Sequence, residues 1–552
     1  MPERAATLDP VRAHRRVLTK IGWAAAVALV VAVTGCANDP LPPSSLASSV
    51  TSVAAAPDQP SATSPISSQD QRDPDPSDPT EIVIAADAPG QVLDHRLLGT
   101  NLPAWVGPDR LVDPEFQRAT IESGTTLLRM PGGSWSNAYD WHGCEIGDGS
   151  TCAWTWAARP SDFATFLRAT GIAGMWTVSI NQTPQSAAAA VAYFNGDVND
   201  ETSIGVDRDG VDWESVGTWA QLRADHGNPE PVGVALWEVG NEVYGARPEA
   251  GGADCASFGW EDVWTCDGTE YVVGDGEHDG YLAFRDAMLA VDPSIEVGAV
   301  GVGDPAGWGN FGNEVIAAAG SDLDFYVVHQ YGFDQSPDPV DALHRPESMW
   351  PGLLSAVHTA LAGDAVVAVT EYNLVSFEAG DTSQSMTRAV NALFLADTIG
   401  QLAEGGATIA NQWNLVNGVT SSGTDYGMIN NDDGSLYPQY QAMKIWGQVG
   451  TSLLGVESLG DLGDLRVYPT RHDDGRVSIV VINLAGDAVN RSFSLTGVGS
   501  GATVSMSGVR TDDLLARSMA DVDMTQIEYE AGRFDAEFPA WSINLIEVAP
   551  SG

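Results

Sequence analysis

The chain has 552 residues and a formal net charge of −48 at pH 7. This length allows two or more domains with a large buried core. A surface this acidic repels polyanions, so the composition argues against nucleic acid and anionic lipid headgroups as partners.

The first 36 residues are predicted to be an export signal. Basic residues precede an apolar run at 21–33, which is shorter than the ~20 apolar residues of a membrane span. The run ends in Val-Thr-Gly-Cys, which resembles the lipobox of bacterial lipoproteins and implies that Cys36 is lipidated. The alternative is an ordinary cleaved signal. We therefore expect a protein that is lipid-anchored to the outer face of the bacterial cell membrane, or secreted.

Residues 37–79 are predicted to be a disordered linker. They consist mainly of Ser, Pro, Ala and Asp, and such a segment cannot bury enough apolar surface to offset its ordering entropy. The linker is expected to hold a folded domain away from the membrane.

Eight short apolar runs from residue 97 onward predict an α/β fold. Near-continuous hydrophobicity is typical of parallel strands that are covered on both faces. The runs lie at 97–101, 126–133, 175–181, 233–242, 295–301, 323–331, 365–373 and 407–415, with helices predicted at 161–170, 184–195, 279–291 and 385–404. This order favours a catalytic (β/α)8 TIM barrel over residues 80–450. A doubly wound sheet is the alternative, although no Gly-rich dinucleotide loop follows the first strand.

The composition changes after the barrel. Short alternating strands separated by turns predict a C-terminal β-sandwich domain at 451–552. The early strand at 80–94 precedes the barrel and is a candidate member of this sandwich.

Two glutamates lie where barrel strands are expected to end, at the face that carries the chemistry of such barrels. Glu242 is the last residue of the fourth apolar run and Glu371 lies near the end of the seventh. A lone glutamate at a strand end is more often a solvated loop residue. Two carboxyl groups facing one pocket suit glycoside hydrolysis, in which one protonates the leaving oxygen while the other attacks the anomeric carbon or activates water. The proximity of like charges also raises one of the two pKa values.

Three segments resemble glycoside hydrolase family 51, the α-L-arabinofuranosidases of clan A. "LRADHGNPEPVGVALWEVGNE" (222–242) is similar to the segment before the family's acid/base glutamate. "LLRMPGGSWSNAYDW" (127–141) is similar to its Pro-Gly-Gly segment, and "SINQTPQSAAAAVAYFNGD" (179–197) to its third-strand loop and helix. The resemblance covers roughly residues 95–420 and extends into the sandwich.

The resemblance implies a role for each matching residue. Glu242 would be the acid/base and Glu371 the nucleophile of a retaining enzyme. Asn241 would bind the sugar 2-hydroxyl. It also implies that Arg129 keeps Glu371 ionised, that Tyr331 orients Glu371 and that Trp413 lies under the sugar ring. His329 and Asn181 join the predicted substrate site because they lie at strand ends. Trp105 and Trp135 follow strand ends and are expected to stack on sugars, with packing in the core as the alternative.

Three residues depart from the family pattern, namely Met130, Ser134 and Asn228. We expect them to line the substrate pocket, so they affect the identity of the sugar more than the mechanism. Families 39, 30 and 79 share the barrel and the glutamates and stay open as alternatives.

Four cysteines follow Cys36 in two close pairs, Cys144 with Cys152 and Cys255 with Cys266. An even number in an exported chain favours two local disulfides. A site in which all four bind a metal is the alternative, but no C-x-x-C spacing supports it. No metal and no organic cofactor is expected.

The sequence thus predicts an exported retaining glycoside hydrolase that removes arabinofuranosyl residues from cell-wall polysaccharide or oligosaccharide. The catalytic carboxyl groups of a retaining enzyme lie ~5–5.5 Å apart. One alternative is another clan A activity, such as a β-xylosidase, endoglucanase or glucuronidase. The other is a non-catalytic carbohydrate-binding lipoprotein. The oligomeric state is not predicted.

Overall fold

The computed structural model of the chain describes residues 81–147, 154–246, 260–363, 365–458 and 462–550. The predicted signal at 1–36 with Cys36, the linker at 37–79, Cys152 and Cys255 lie outside these residues. The described residues belong to one compact unit, Asp70–Gly552. None of their helices combines the length and apolar character needed to cross a membrane.

The centre of this unit is a closed barrel of eight parallel strands. Two strands precede it, β1 (Glu81–Ala85) and β2 (Gln91–Val92). The barrel strands are β3 (Gly99–Asn101), β4 (Leu127–Met130), β5 (Ala173–Val178), β6 (Leu236–Val239), β7 (Glu296–Val300), β8 (Phe325–Phe333), β9 (Val366–Val375) and β10 (Ile409–Gln412). They pair in chain order, and β10 closes on β3. Each strand lies on one of the eight predicted runs. The TIM barrel is therefore confirmed and the open doubly wound sheet was wrong.

Helices connect the strands around the barrel. They are α1 (Pro108–Leu111), α2 (Pro114–Glu122), α3 (Trp141–Ile146), α4 (Pro160–Thr170), α5 (Pro184–Asn195), α6 (Val216–Asp225), α7 (Gly268–Val273), α8 (Tyr281–Val291), α9 (Gly307–Ala319), α10 (Pro339–Leu361), α11 (Ala389–Glu404) and α12 (Pro438–Trp446). Helices α4, α5, α8 and α11 lie at the four predicted positions. Proline occupies the first turn of α4 and α5, where its missing N–H removes no hydrogen bond.

The barrel interior has an apolar lower layer and a polar upper layer. The lower layer is a cluster of buried residues that includes Leu127, Leu236 and Ala368. Two residues further along the same strands stand Arg129, Glu238 and Thr370, all fully buried. Side chains alternate along a strand, so each apolar residue and the polar residue two positions later face the same interior. The polar layer lies at the carboxyl ends of the strands.

The remaining strands form a β-sandwich, as predicted. They are β11 (Ser452–Leu453), β12 (Val456–Ser458), β13 (Leu465–Arg471), β14 (Val477–Asn483), β15 (Val489–Thr496), β16 (Thr503–Arg510), β17 (Ala520–Ile527), β18 (Arg533–Phe538) and β19 (Ser542–Ala549). One sheet has the order β12-β1-β15-β18 and the other β17-β16-β19-β14-β13-β11-β2. Apolar residues of both sheets, such as Ile84, Ile479 and Phe493, share one buried cluster. The early strand β1 thus lies in the sandwich, between β12 and β15.

Two of the four paired cysteines are described. Cys144 and Cys266 are each disulfide-bonded. Their predicted partners lie outside the described residues, so the local pairing stays a prediction.

Candidate active site

Glu242 and Glu371 meet at the carboxyl ends of the barrel strands. One ligand atom from each of Glu242, His329 and Glu371 lies within 4.8 Å of the other two. The side chain of Glu242 is 14 % exposed and that of Glu371 is 9 % exposed. Both carboxyl groups are therefore largely removed from water yet open to a ligand from the mouth of the barrel.

The backbone at both glutamates is irregular. Glu242 lies just beyond β6 with a φ of 42°, a left-handed conformation that costs free energy in a residue other than glycine. The pairing of β8 with β9 shifts register between Val327 and His329, and His329 then pairs with Glu371. A β-bulge of this kind re-aims side chains, and it allows Thr370 and Glu371 to reach the same cluster from adjacent positions.

Arg129 is the fully buried centre of the polar layer. Its Nε donates to Glu238 at 2.6 Å, and its Nη1 donates to Glu371 at 3.5 Å. Its Nη2 donates to Asn241 Oδ1 at 2.8 Å. Burial lowers the pKa of Arg129, but the charges of Glu238 and Glu371 outweigh burial and raise it. The guanidinium therefore stays charged and fixes three groups of the site, with Glu238 as its main partner.

Glu238 was not among the predicted site residues. It accepts hydrogen bonds from Arg129, from Thr177 Oγ1 at 2.8 Å and from Thr370 Oγ1 at 2.9 Å. The alternation from Leu236 to Glu238 would have placed it on the inner face of β6. A buried carboxylate with this many donors holds Arg129 in place.

The two catalytic candidates have different donors and different pKa values. Burial and the charge of Glu242 raise the pKa of Glu371, and His329 and Arg129 offset this only in part. Burial also raises the pKa of Glu242, but hydrogen bonds from His329 and Trp260 outweigh it and leave that pKa below its ordinary value. Of the two carboxyl groups, Glu371 is thus the one whose pKa is raised.

His329 lies between the two carboxyl groups. Its Nδ1 is 2.9 Å from Glu242 Oε1 and 3.6 Å from Glu371 Oε2. Its Nε2 is 3.0 Å from Thr370 Oγ1, whose single proton goes to Glu238, so Nε2 must donate. Burial lowers the pKa of His329, but the charges of Glu371 and Glu242 outweigh it and raise that pKa. Nδ1 is therefore the ring position that gains or loses a proton.

Tyr331 lies at the position the resemblance implies. Its hydroxyl donates to Glu371 Oε1 at 2.5 Å. Together with Arg129 on Oε2, this bond fixes the plane of the Glu371 carboxyl group.

Asn241 is held from both ends of its amide. Arg129 donates to Oδ1, and Nδ2 donates to Glu261 Oε1 at 2.9 Å. The other carboxyl oxygen of Glu261 accepts from Asn137 Nδ2 at 2.8 Å. These bonds define the orientation of the Asn241 amide and leave one N–H of Nδ2 for a ligand.

Glu261 was also missed by the sequence reasoning. It is 1 % exposed, and burial together with the charge of Glu242 raises its pKa to about 8. It stands in "WEDVW" (260–264), a stretch without strand or helix periodicity and outside the segments that carry the family resemblance. No signal in the sequence distinguished it from a solvated loop residue.

Replacing Glu261 by Gln is expected to make the melting temperature less sensitive to alkaline pH. The folded-state pKa is about 8 against an ordinary value of 4.5, so between these pH values the native state binds more protons than the unfolded state. Stability of the wild type then falls as pH rises through this window, and Gln removes that loss. Calorimetry from ~pH 5 to ~pH 9 should show a fall in Tm that is smaller by about 2 °C or more in the variant.

The control for that comparison is Glu230→Gln, which removes an exposed carboxylate. The dependence of Tm on pH in this control variant should match that of the wild type. If Tm falls with pH equally in the wild type and in Glu261→Gln, the raised pKa of Glu261 is contradicted.

Three predicted tryptophans pack against one another at the carboxyl end of the barrel. The ring centroid of Trp105 lies 5.9 Å from that of Trp413 and 5.1 Å from that of Trp135. Trp105 Nε1 donates to Asn417 Oδ1 at 2.9 Å, which fixes its ring. The Trp413 ring lies against Gly133, where a Cβ would come within 2.5 Å of it and where φ is +60°. The Pro-Gly-Gly segment therefore needs glycine for both its turn and this close contact.

Two of the three departures from the family pattern lie away from the pocket, so that expectation was wrong for them. Met130 is fully buried, and its Sδ-methyl group packs toward Gly174 in the layer between barrel and helices. Asn228 bonds to Arg168 and to Thr165 on α4, before β6 begins, at the amino end of the strand. Alternation along β4 turns Met130 outward, and Asn228 belongs to the opposite end of the barrel.

Ser134 and Asn181 lie at the rim. Ser134 is exposed and forms a hydrogen bond with Glu261. This bond lowers the pKa of Glu261 and so offsets part of the effect of burial. Asn181 is also exposed, and its Nδ2 donates to the backbone carbonyls of Asn137 at 3.1 Å and Asp262 at 2.8 Å. Asn181 thus holds the loop of Glu261, and its side-chain amide bonds to backbone carbonyls rather than to the carboxyl pair.

The spacing of Glu242, His329 and Glu371 also suits a divalent cation. Hydrogen bonds account for the same arrangement, because Nε2 of His329 donates to Thr370 and both carboxyl groups accept from neighbouring donors. The absence of a metal requirement stays a prediction.

Three solved structures that share this fold are named as glycoside hydrolases. The α-L-arabinofuranosidase of Thermotoga maritima in its arabinose complex is 20 % identical, with a TM-score of 0.64, over 85 % of this chain and 100 % of its own. The family 51 enzyme of Thermotoga petrophila is 20 % identical, with a TM-score of 0.65, over 85 % and 99 %. The family 44 xyloglucanase of Paenibacillus polymyxa is 12 % identical, with a TM-score of 0.58, over 85 % and 99 %.

The likeness is one of fold. It supports the predicted barrel and sandwich of the family 51 type. No family model matches the chain, and no curated protein matches its sequence.

Proposed function

We propose that the chain is a retaining glycoside hydrolase. The observation that carries this proposal is the approach of the two carboxyl groups, with an oxygen of Glu242 and an oxygen of Glu371 within 4.8 Å. Retaining enzymes place their pair ~5–5.5 Å apart, whereas inverting enzymes need ~6.5–9.5 Å to admit a water molecule. A non-catalytic sugar-binding protein has no need of two desolvated carboxyl groups at this distance.

In the proposed mechanism, Glu371 attacks the anomeric carbon while Glu242 protonates the leaving oxygen. The bond from carbon to the leaving oxygen breaks, and a glycosyl ester forms on Glu371. Water then attacks the same carbon, gives its proton to Glu242 and releases Glu371 as a carboxylate. In this mechanism Asn241 binds the sugar 2-hydroxyl and the Trp413 ring contacts the sugar ring.

The first step requires a proton on Glu242, although the pKa of Glu242 is lowered and that of Glu371 is raised. His329 Nδ1 lies within 3.6 Å of both carboxyl groups. The three groups titrate as a unit, and in the proposed mechanism substrate binding moves the shared proton through Nδ1 to Glu242.

The proposed substrate is a terminal arabinofuranoside on a cell-wall polysaccharide or oligosaccharide. This rests on the sequence resemblance to family 51 and on the fold shared with arabinofuranosidases. The xyloglucanase of family 44 shares the fold as well, so another clan A glycoside is the second candidate. We further propose that the chain is exported and tethered through Cys36.

A panel of p-nitrophenyl glycosides tests the activity. The α-L-arabinofuranoside is expected to be turned over faster than the xyloside, glucoside and glucuronide, and EDTA is expected to leave the rate unchanged. If another glycoside is turned over instead, the proposed mechanism stands and the proposed substrate is replaced by that glycoside. No turnover of these compounds or of polysaccharide would contradict the proposal.

A further inference from the structure

Asn137, Asn241 and Glu261 form a closed hydrogen-bonded cluster, which we call the amide cluster. Asn137 holds the backbone of Asn241, because its Nδ2 donates to the Asn241 carbonyl at 2.8 Å and its Oδ1 accepts from the Asn241 N–H at 3.2 Å. Glu261 closes the cluster, since its Oε2 accepts from Asn137 Nδ2 at 2.8 Å and its Oε1 from Asn241 Nδ2 at 2.9 Å. Asn137 is 5 % exposed and the other two residues are 1 % exposed.

The cluster determines which way the side-chain amide of Asn241 faces. Arg129 offers only donors and bonds to Asn241 Oδ1 at 2.8 Å, whereas Glu261 offers an acceptor to Nδ2. Arg129 alone would hold one end of the amide and leave its plane free to turn. Glu261 holds the other end and so fixes the direction of the second N–H of Nδ2, which is the one left for a ligand.

The position of Glu261 requires two acceptor atoms. An amide N–H points at each of its two carboxyl oxygens. A glutamine in this place would turn its own NH2 group toward one of these donors. Two buried donors that face each other both lose a partner, which costs free energy. A side chain of the same shape therefore does not replace the carboxyl group.

The loop that carries Glu261 is fastened on both sides. The backbone N–H of Glu261 donates to the carbonyl of Gly245 at 2.9 Å. Asn181 Nδ2 donates to the carbonyls of Asn137 at 3.1 Å and of Asp262 at 2.8 Å. Glu261 is thus held in place by bonds of its own loop, and its carboxyl group can impose an orientation on Asn241.

Two members of this arrangement are not implied by the resemblance to family 51. Ser134 departs from the family pattern and bonds to Glu261, which lies outside the segments that carry the resemblance. Burial and the charge of Glu242 raise the pKa of Glu261 to about 8, so the carboxyl group is protonated near neutral pH. Its oxygens already accept from two amides, and the Ser134 hydroxyl can accept the proton.

We infer that Glu261 is a positioning residue for Asn241 and thereby sets how much the sugar 2-hydroxyl contributes to catalysis. Glu261 is too deeply buried to contact a substrate, and it acts through the amide whose free N–H the 2-hydroxyl accepts. The inference rests on the proposed function. It adds to that function a residue that determines the preference for sugars with a 2-hydroxyl group.

Two substrates that differ only in the 2-hydroxyl test this role. They are p-nitrophenyl α-L-arabinofuranoside and its 2-deoxy analogue, whose difference in intrinsic reactivity is the same for every variant. The ratio of kcat/KM for the first over the second is expected to fall about tenfold in Glu261→Gln. It should fall at least as far in Asn241→Ala. Adding Glu261→Gln to Asn241→Ala should leave the ratio unchanged, because the group that Glu261 orients is then missing.

Glu378→Gln is the matched control, since it neutralises a carboxyl group at the same end of the barrel outside the amide cluster. Its ratio should equal that of the wild type. Ser134→Ala removes a partner of Glu261 from an exposed position and is expected to lower the ratio about threefold. This second variant decides the question if Glu261→Gln does not fold.

A merely structural role of Glu261 predicts equal losses on both substrates. An unchanged ratio in folded Glu261→Gln would therefore overturn the inference, and so would a wild type that does not prefer the 2-hydroxyl. A fall in the ratio when Glu261→Gln is added to Asn241→Ala would show that Glu261 acts by another route.

Failure of the proposed function gives a different result. If the wild type cleaves neither substrate, calorimetric binding of methyl α-L-arabinofuranoside and of its 2-deoxy analogue replaces the kinetic ratio. A preference for the first that shrinks in Glu261→Gln would support the positioning role in the absence of hydrolysis. Equal preferences in the two proteins, or no binding of either glycoside, would overturn it.

Discussion

Glu371→Gln is expected to lower kcat by about 10⁴-fold or more on every substrate that the wild type cleaves. The amide has the shape of the carboxyl group and can keep the hydrogen bond from Tyr331, but it has no lone pair basic enough to attack the anomeric carbon. The loss should be the same for good and poor leaving groups, since the nucleophile is needed before any leaving group departs.

The fold of this variant should be intact. The pKa of Glu371 is raised by burial and by the charge of Glu242, so a neutral amide at this position relieves repulsion near neutral pH. We therefore expect a Tm equal to or above that of the wild type.

Glu378→Gln is the control for the loss of activity. Glu378 is a partly buried residue at the same mouth of the barrel, and the one described hydrogen bond of its carboxyl group comes from Asn417. This variant should keep activity within about threefold. Glu371→Gln with more than a few per cent of wild-type kcat would contradict the nucleophile assignment.

The loss of activity in Glu242→Ala is expected to depend on the leaving group of the substrate. The loss should reach about 10³-fold on an oligosaccharide, whose leaving oxygen needs a proton, and be smaller on a dinitrophenyl glycoside, whose leaving group departs as an anion. Added azide should accelerate the variant, because the small anion fits beside the alanine and needs no general base to attack the glycosyl ester.

The product of this rescue separates the two role assignments. The pKa of Glu371 is raised and that of Glu242 is lowered, so the reverse assignment of the two roles is a specific alternative. If Glu242 is the acid/base, the azide product keeps the configuration of the substrate. An inverted azide from Glu242→Ala, with a retained azide from the corresponding Glu371 variant, would exchange the two roles.

The fold followed from the sequence because each barrel strand is buried on both faces. Runs such as 323–331 and 365–373 contain too few polar residues to face solvent, and their spacing leaves room for a helix between them. The sandwich was likewise visible from alternation after residue 451. The predicted strand ends were enough to assign four residues to the site before any of their contacts were known, namely Glu242, Glu371, His329 and Tyr331.

The contacts themselves depended on features that have no sequence signal. Strict alternation along β9 would direct Thr370 inward and Glu371 outward, and a register shift against β8 overrides it. Glu261 reaches Asn241 from an irregular loop, across 20 positions of the chain. Asn228 illustrates the reverse error, since a residue in a family-like segment was assigned to the pocket although it precedes the strand and lies at the other end of the barrel.

The anomeric configuration of the first-formed product tests the central claim most directly. Proton NMR, started within seconds of mixing enzyme with an α-L-arabinofuranoside and with methanol present as acceptor, reports whether the new glycoside is α or β. The separation of Glu242 and Glu371 predicts the α product, formed with retention through a glycosyl ester on Glu371. A β product would show single-step inversion and would contradict the double displacement on which the account rests.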